Sequence, residues 1–123
     1  MRLPPSSDFV KIIYPDRDAL LNQIGQIIRR IKTQHPEVVA VRLFGSLARG
    51  DYTATSDADL IIVLSHCMEN DPHRRILTFL PYFDLRYGVD LLVYTQSEIE
   101  SRLNEGDPFL QRVWQESTEI SAS

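Results

Sequence analysis

Two short motifs in the middle of the chain have residue types and spacing suited to phosphate and metal chemistry. Gly45 and Ser46 follow an apolar run, and after ten further residues Asp57 and Asp59 introduce another apolar run. Side chains at positions i and i+2 of a strand point to the same face, so these two carboxylates could share a divalent cation. Asp90 begins a third apolar run and could reach the same place from a neighbouring strand. The sequence therefore predicts a metal site beside a phosphate site.

The residues around Gly45 are suited to holding a phosphate group. Glycine has no Cβ, so the backbone can approach the phosphate closely, and the N–H groups that begin a following helix point toward its oxygens. Ser46 adds a hydroxyl donor, and Arg49 can bind a phosphate through its planar guanidinium group. Ser56, just before the carboxylates, is a further candidate donor. Taken separately, each of these residues also fits an ordinary helix start, strand end or solvent-exposed position.

The combined pattern resembles a known signature. Gly-Ser, ten residues and Asp-x-Asp is similar to the motif of the DNA polymerase β-like nucleotidyltransferase superfamily. The longer pattern Gly45-Ser46-x-Ala48-Arg49-Gly50 with Ser56-Asp57-x-Asp59-Leu60 resembles the smallest branch, the minimal nucleotidyltransferases, and the similarity extends from about Val38 to Tyr94. The resemblance implies a nucleotidyltransferase with ATP as substrate, in which Asp57, Asp59 and Asp90 are the catalytic, metal-binding carboxylates.

The chemistry of nucleotidyl transfer explains why three carboxylates would be needed. The reaction displaces pyrophosphate from the α-phosphorus of a nucleoside triphosphate, and two divalent ions ~3.5–4 Å apart can stabilise the negative charge that develops. Mg²⁺ prefers carboxylate and phosphate oxygens. We therefore expect two Mg²⁺ ions bridged by Asp57 and Asp59, with Asp90 completing the site of the ion that activates the acceptor.

The resemblance also implies a partner. Minimal nucleotidyltransferases are typically paired with a HEPN protein, a helical RNase toxin, and the implied function is an antitoxin that transfers AMP to a tyrosine hydroxyl of that toxin. A chain of 123 residues has no room for an acceptor-binding domain, so the acceptor would be held by a partner or by a second copy. Two alternatives remain open: an antitoxin or regulatory subunit that binds nucleotide and acts by occlusion without catalysis, and transfer to a small molecule within a homodimer. The complete carboxylate set favours the enzyme, because occlusion would not require it.

Composition limits the other classes of function. With 43% hydrophobic and 24% charged residues, the chain is expected to form one globular domain over residues 1–123. The net charge of −4 and the scattered basic residues make direct nucleic-acid binding unfavourable. No segment reaches the ~18 apolar residues of a membrane span, and none resembles a secretory signal, so a cytoplasmic location is expected.

The elements that would position these residues alternate between helices and strands. The predicted order, α-β-α-β-α-β-α-α, indicates an α/β fold with a small mixed β-sheet and flanking helices, which is also the polymerase β-like nucleotidyltransferase core that the resemblance implies. Ser97 and Glu100 have the spacing of a capping box, and residues 117–123 are predicted to be frayed. The predicted elements are a helix between Pro15-Asp16 and His35-Pro36, a strand over 38–44, a short helix from Ser46, a strand over 57–65, a helix capped by Asp71 and ended by Pro81, a strand over 89–95, a helix ending near Gly106, and a last helix beginning at Asp107-Pro108.

Overall fold

A computed structural model describes residues 17–52, 57–85 and 88–122 of the chain, and its centre is a four-stranded mixed sheet. The strand order is β3 (Val89–Thr95), β2 (Ala58–Leu64), β1 (Val38–Phe44) and β4 (Thr118–Glu119), with β1 antiparallel to β2 and β4, and β2 parallel to β3. This confirms the predicted α/β fold with a small mixed sheet and flanking helices. The elements are α1 (Arg17–Gln34), β1 (Val38–Phe44), α2 (Ser46–Arg49), β2 (Ala58–Leu64), α3 (Pro72–Phe79) with a 3-10 turn at Leu80–Tyr82, β3 (Val89–Thr95), α4 (Gln96–Asn104), α5 (Pro108–Glu116) and β4 (Thr118–Glu119).

Strand β2 lies in the middle of the molecule and is covered on both faces. Leu60 and Ile62 pack into the core formed with α1, whereas Ile61 and Val63 pack with α4 and α5. Alternate side chains of a strand point to opposite faces, so Asp59 shares the α4/α5 face with Ile61 and Val63. The continuous apolar run after the carboxylates therefore places them at the edge of a buried layer.

Several predicted boundaries are confirmed because strong local signals mark them. The bounds of β1 and β3 match the predicted strands over residues 38–44 and 89–95. The carboxylate of Asp71 accepts the N–H of His73 at 2.9 Å and caps α3, and Asp107 accepts the N–H of Leu110 at 3.1 Å and caps α5. The predicted start of the first helix at Pro15-Asp16 lies outside the described residues.

The capping box predicted at Ser97 is wrong. Thr95 is the N-cap of α4, where its hydroxyl accepts the N–H of Glu98 at 3.2 Å and the Glu98 carboxylate accepts the N–H of Thr95 at 2.8 Å. The difference arises because β3 runs directly into α4 with no linker, so the last strand residue also caps the helix.

The prediction of a frayed C-terminal segment is also wrong for the residues that the structure describes. Thr118–Glu119 form β4, which pairs with Arg42 and Leu43 of β1. The Arg42 side chain reinforces this pairing by donating from Nε to the hydroxyl of Ser117 at 2.7 Å and from Nη2 to its carbonyl at 3.0 Å. A polar segment is held here by contacts with β1 that its own composition does not reveal.

An ion pair joins α3 to α4 beneath the surface. The Arg75 side chain is 2% exposed, and its guanidinium donates to both carboxylate oxygens of Glu98, at 2.6 and 3.1 Å. A third donor, Nε, binds the carbonyl of Glu69 at 2.7 Å. The hydrogen bonds from Arg75 hold the pKa of Glu98 below its ordinary value.

Within the described ranges, no helix is long and apolar enough to cross a membrane.

Candidate active site

The predicted metal and phosphate residues come together at one end of the sheet. β1 ends where β2 and β3 begin, because β1 is antiparallel to β2 and β2 is parallel to β3. In this register Phe44 lies opposite Asp59, and Asp59 lies opposite Asp90. Gly45, the residue after β1, therefore arrives beside the two carboxylates.

The electrostatic environment of Asp59 is shaped by its acidic neighbours. Burial, the charge of Asp90 with a hydrogen bond to it, and the charge of Asp57 raise the pKa of Asp59 to about 6, and Arg49 opposes the shift only weakly. A divalent cation held by these carboxylates would relieve the repulsion among them.

Two glycines make room for the carboxylates. Gly45 has φ +76°, and a Cβ added there would overlap the Oδ2 atom of Asp59. A Cβ on Gly88 would overlap the Oδ1 atom of Asp57 in the same way. In the sequence, Gly88 is simply the residue before the predicted strand over 89–95. The structure shows that it lets Asp57 lie directly against the backbone that leads into β3.

The donor set suits Mg²⁺. Over residues 17–52, 57–85 and 88–122, no group of three or more His, Cys, Asp or Glu side chains is already arranged around a metal position. The acidic neighbours of Asp59 are nevertheless Asp57 and Asp90. Carboxylate oxygens such as theirs are the protein ligands that Mg²⁺ prefers. Burial and the negative charges of Asp90 and Asp57 raise the pKa of Asp59, and a bound cation would offset the repulsion between these charges.

The phosphate candidates face a cavity next to these carboxylates. Gly45, Ser46, Arg49 and Asp59 line a common cavity of about 520 Å³. The remaining residues that line it belong to β1 and α5: Phe44, Phe109, Arg112, Val113 and Glu116. The predicted donor Ser56 lies outside the described residues. The structure thus places the phosphate candidates and one metal candidate in the same space, with α5 as the opposite wall.

Glu116 occupies this cavity in a way that the sequence analysis did not predict. Its Oε2 atom accepts the backbone N–H of Gly45 at 2.8 Å and the Nη1 of Arg49 at 3.1 Å. We call these two donors the Gly45–Arg49 anion site. They already bind a negatively charged oxygen, which is the chemical group that a phosphate would present. The Nε of Arg49 binds Asp51 at 3.2 Å on the exposed side.

A sequence signal for the α5 wall does exist, but it is incomplete. Arg112 and Val113 lie three and four residues after Phe109, and Glu116 lies four and three residues after them, which places all four on one face of a helix. The spacing predicts the shared face and not what that face covers. The contact with the end of β1 depends on how α5 packs.

The raised pKa of Asp59 predicts a pH dependence of stability in the metal-free chain. Because the folded-state pKa of about 6 exceeds the ordinary value of 3.8, the folded state binds more protons than the unfolded state between these values. The contribution of Asp59 to the free energy of unfolding therefore decreases as the pH rises through this range and is constant above it. Asp59→Asn should remove this contribution, so the variant should gain stability relative to wild type as the pH rises.

Urea denaturation of both proteins at several pH values, with a chelator present, measures this difference. Asp84→Asn, at an exposed position, is the control and should follow the wild type at every pH. A difference between Asp59→Asn and wild type that stays constant across the range would contradict the shift assigned to Asp59.

Comparisons with known proteins gave matches of two kinds. Residues 24–121 match the sequence model of the nucleotidyltransferase domain family, and the matched range contains every predicted site residue. A Sulfolobus solfataricus protein, provisionally described as a nucleotidyltransferase, has a crystal structure similar to this one, with a TM-score of 0.59 and 28% sequence identity. The similarity covers 69% of this chain and 75% of that one. A search of curated proteins found no match.

Proposed function

Because the chain belongs to the nucleotidyltransferase domain family, we propose that it transfers AMP from ATP to a tyrosine hydroxyl of a HEPN-family RNase toxin and so acts as an antitoxin. Family membership supports nucleotidyl transfer as the activity. The acceptor and the antitoxin role rest on the resemblance of the sequence around Gly45 and Asp59 to minimal nucleotidyltransferases. The observation that carries the proposal is the repelling Asp59–Asp90 pair next to a site that already binds an anion.

In this proposal the triphosphate lies between the end of β1 and α5. The N–H of Gly45 and the guanidinium of Arg49 bind its oxygens, and charge-assisted hydrogen bonds of this kind are stronger than neutral ones. Ser46 lines the same cavity and adds a hydroxyl donor. These groups hold the substrate so that its α-phosphate is close to Asp59.

The carboxylates Asp57, Asp59 and Asp90 would hold Mg²⁺. The bound metal would neutralise phosphate charge and lower the pKa of the attacking hydroxyl. Asp59 has to be ionised to act as a ligand, and its pKa of about 6 leaves it mostly ionised at neutral pH. The tyrosine oxygen then forms a bond to the α-phosphorus, the bond from that phosphorus to the β-phosphate oxygen breaks, and the hydroxyl proton passes to water as pyrophosphate leaves.

The surface of the chain is consistent with a protein acceptor. The net charge of −4 disfavours an RNA or DNA acceptor, whose binding depends on neutralising many phosphates. Asp57 and Asp90 are exposed at the open end of the sheet, so a side chain from another molecule can reach them. A cytoplasmic location, where ATP and such a toxin would meet, follows from the proposal.

Mass spectrometry of the proposed acceptor tests this function. Incubated with ATP, Mg²⁺ and this chain, the proposed HEPN acceptor should gain about 329 Da per transfer, the mass of AMP less water. An ATP analogue with a methylene group between the α- and β-phosphates is the control, because it binds but cannot release pyrophosphate. An intact complex that never acquires AMP would overturn the transferase and favour neutralisation by occlusion.

A further inference from the structure

Glu116 places a carboxylate where the proposed function requires a phosphate. Its Oε2 atom receives hydrogen bonds from both members of the Gly45–Arg49 anion site. One N–H group and one guanidinium nitrogen cannot give these same bonds to a carboxylate and a phosphate together. Nucleotide binding in this position must therefore be preceded or accompanied by release of Glu116.

We infer that Glu116 is an internal competitor of the triphosphate at the Gly45–Arg49 anion site and thereby determines the affinity for nucleotide. The inference rests on the proposed function, because it takes the triphosphate as the ligand of that site. It assigns to α5 a part in substrate binding that the motif around Gly45 and Asp59 does not include.

Charge explains why Glu116 competes with nucleotide instead of assisting it. A triphosphate next to Asp59 already brings several negative charges into a cavity that contains a half-buried carboxylate. A second carboxylate kept beside the phosphates would add repulsion, since like charges a few ångströms apart disfavour each other. With Glu116 in place, its charge also neutralises Arg49, the cation that would otherwise attract the phosphates.

The local structure allows Glu116 to leave without unfolding. Glu116 is the last residue of α5, and its backbone is fixed by its neighbours: the N–H of Ser117 binds the carbonyl of Trp114 at 3.4 Å, and Arg42 binds Ser117. A rotation of the side chain alone is enough to vacate the anion site. Arg49 remains oriented by its second contact, with Asp51.

Arg112 offers the released carboxylate a new partner. It lies four residues before Glu116 on the same helix, lines the same cavity and is exposed. Side chains at this spacing in a helix are neighbours, so a pair between Glu116 and Arg112 can form when Arg49 turns to the phosphate. Arg112 has no carboxylate partner within residues 17–52, 57–85 and 88–122, where its contact is the ring of Phe109 at 6.0 Å.

The expected size of the effect follows from competition. When a group of the protein occupies a binding site in most molecules, a ligand can bind only the molecules in which the site is free. The apparent Kd is then the intrinsic Kd divided by the fraction of such molecules. The side chains of Arg49 and Glu116 are 47% and 19% exposed, so their contact is partly screened by water. We expect removal of the Glu116 charge to tighten nucleotide binding by about three- to tenfold.

Calorimetric titration of Glu116→Gln with Mg²⁺–ATP tests the inference. Glutamine keeps an oxygen that can accept the N–H of Gly45 but lacks the charge that holds Arg49, so the Kd should fall by about three- to tenfold. Glu105→Gln makes the same chemical change at an exposed residue outside the cavity and should leave the Kd unchanged. Mg²⁺–tripolyphosphate should show the same gain, because the competition concerns the phosphates and not the base.

Variants made in a chain that already carries Arg49→Gln distinguish competition by Glu116 from a purely structural role of Glu116. In a chain that carries Arg49→Gln, the added Glu116→Gln should change the Kd by less than it does in the wild-type chain, because the charge pair is already broken and only the N–H of Gly45 still binds Glu116. Melting temperatures identify any variant that is poorly folded, and Glu116→Asp, one methylene shorter, replaces Glu116→Gln in that case with the same expected direction.

The outcomes distinguish this inference from the proposed function. If wild type binds Mg²⁺–ATP and the folded Glu116 variant binds it equally or more weakly, the competitor role is overturned and the proposed function is unaffected. If neither protein binds Mg²⁺–ATP, the proposed function is contradicted and the inference falls with it. A gain that persists undiminished in the Arg49→Gln background would also overturn the inference.

Discussion

A chain that carries both Asp57→Asn and Asp59→Asn is expected to transfer nucleotide at least about a thousandfold more slowly than wild type while remaining folded. Asparagine has the shape of aspartate but no charge, so the variant loses the ligands that hold the cations against the α-phosphate. A thousandfold loss corresponds to about 4 kcal/mol of transition-state stabilisation, the scale on which metal ions act in such reactions. In cells, relief of toxicity should be lost with the activity.

The same substitutions should not weaken the metal-free fold. The raised pKa of Asp59 reflects burial and repulsion from Asp90 and Asp57, and both costs decrease when the charges are removed. The melting temperature without Mg²⁺ should equal or exceed that of wild type, and the increase that Mg²⁺–ATP gives the wild type should disappear.

Single-turnover assays and thermal melts with and without Mg²⁺–ATP measure both effects. Asp18→Asn combined with Asp84→Asn, at two exposed positions away from the cavity, is the matched control and should retain activity. Undiminished transfer by the folded Asp57/Asp59 variant would show that these carboxylates do not hold the catalytic metal. Undiminished protection of cells without transfer would support occlusion instead.

The fold could be predicted from the sequence because its signals are local. β1 and β3 are apolar runs bounded by proline or glycine, and Asp71 and Asp107 each stand directly before a proline that can begin a helix. The errors at Ser97 and in the segment over 117–120 have a common physical cause. A cap at Thr95 and a strand at Thr118–Glu119 depend on neighbours that are fixed only when the chain has folded.

The site could be predicted only where its residues form a motif. Gly45, Asp57 and Asp59 are close in sequence, and the antiparallel pairing of β1 with β2 is enough to bring Gly45 beside Asp59. Glu116 and Gly88 carry no such signal. Glu116 reaches Gly45 across 71 positions of sequence, and Gly88 matters because of the empty space against Asp57. Contacts of these kinds depend on tertiary packing, which a single sequence does not specify.

Arg75 shows that a residue important for stability also cannot be identified from a single sequence when its role depends on tertiary packing. In the sequence it stands next to Arg74, and both fit the polar face of a helix. In the structure the Arg74 side chain is 72% exposed, whereas that of Arg75 is 2% exposed and bound to Glu98. Arg75→Met should therefore lower the free energy of unfolding by about 3 kcal/mol, because it leaves Glu98 without its partner inside the molecule. The value lies at the low end for buried ion pairs because Glu98 is 36% exposed.

This loss should depend on pH and on the partner of Arg75. Because Arg75 holds the pKa of Glu98 below its ordinary value, their interaction stabilises the fold fully at neutral pH and is lost as the pH falls through that lowered pKa. The difference in the free energy of unfolding between wild type and Arg75→Met should therefore become smaller in acid. At neutral pH, adding Glu98→Gln to Arg75→Met should recover part of the loss by removing the unpaired charge. Urea denaturation measures these free energies, with Arg74→Met as the control, which should change stability by no more than about 0.5 kcal/mol. Equal losses for the two arginine variants would show that Arg75 stabilises the fold no more than an exposed residue does.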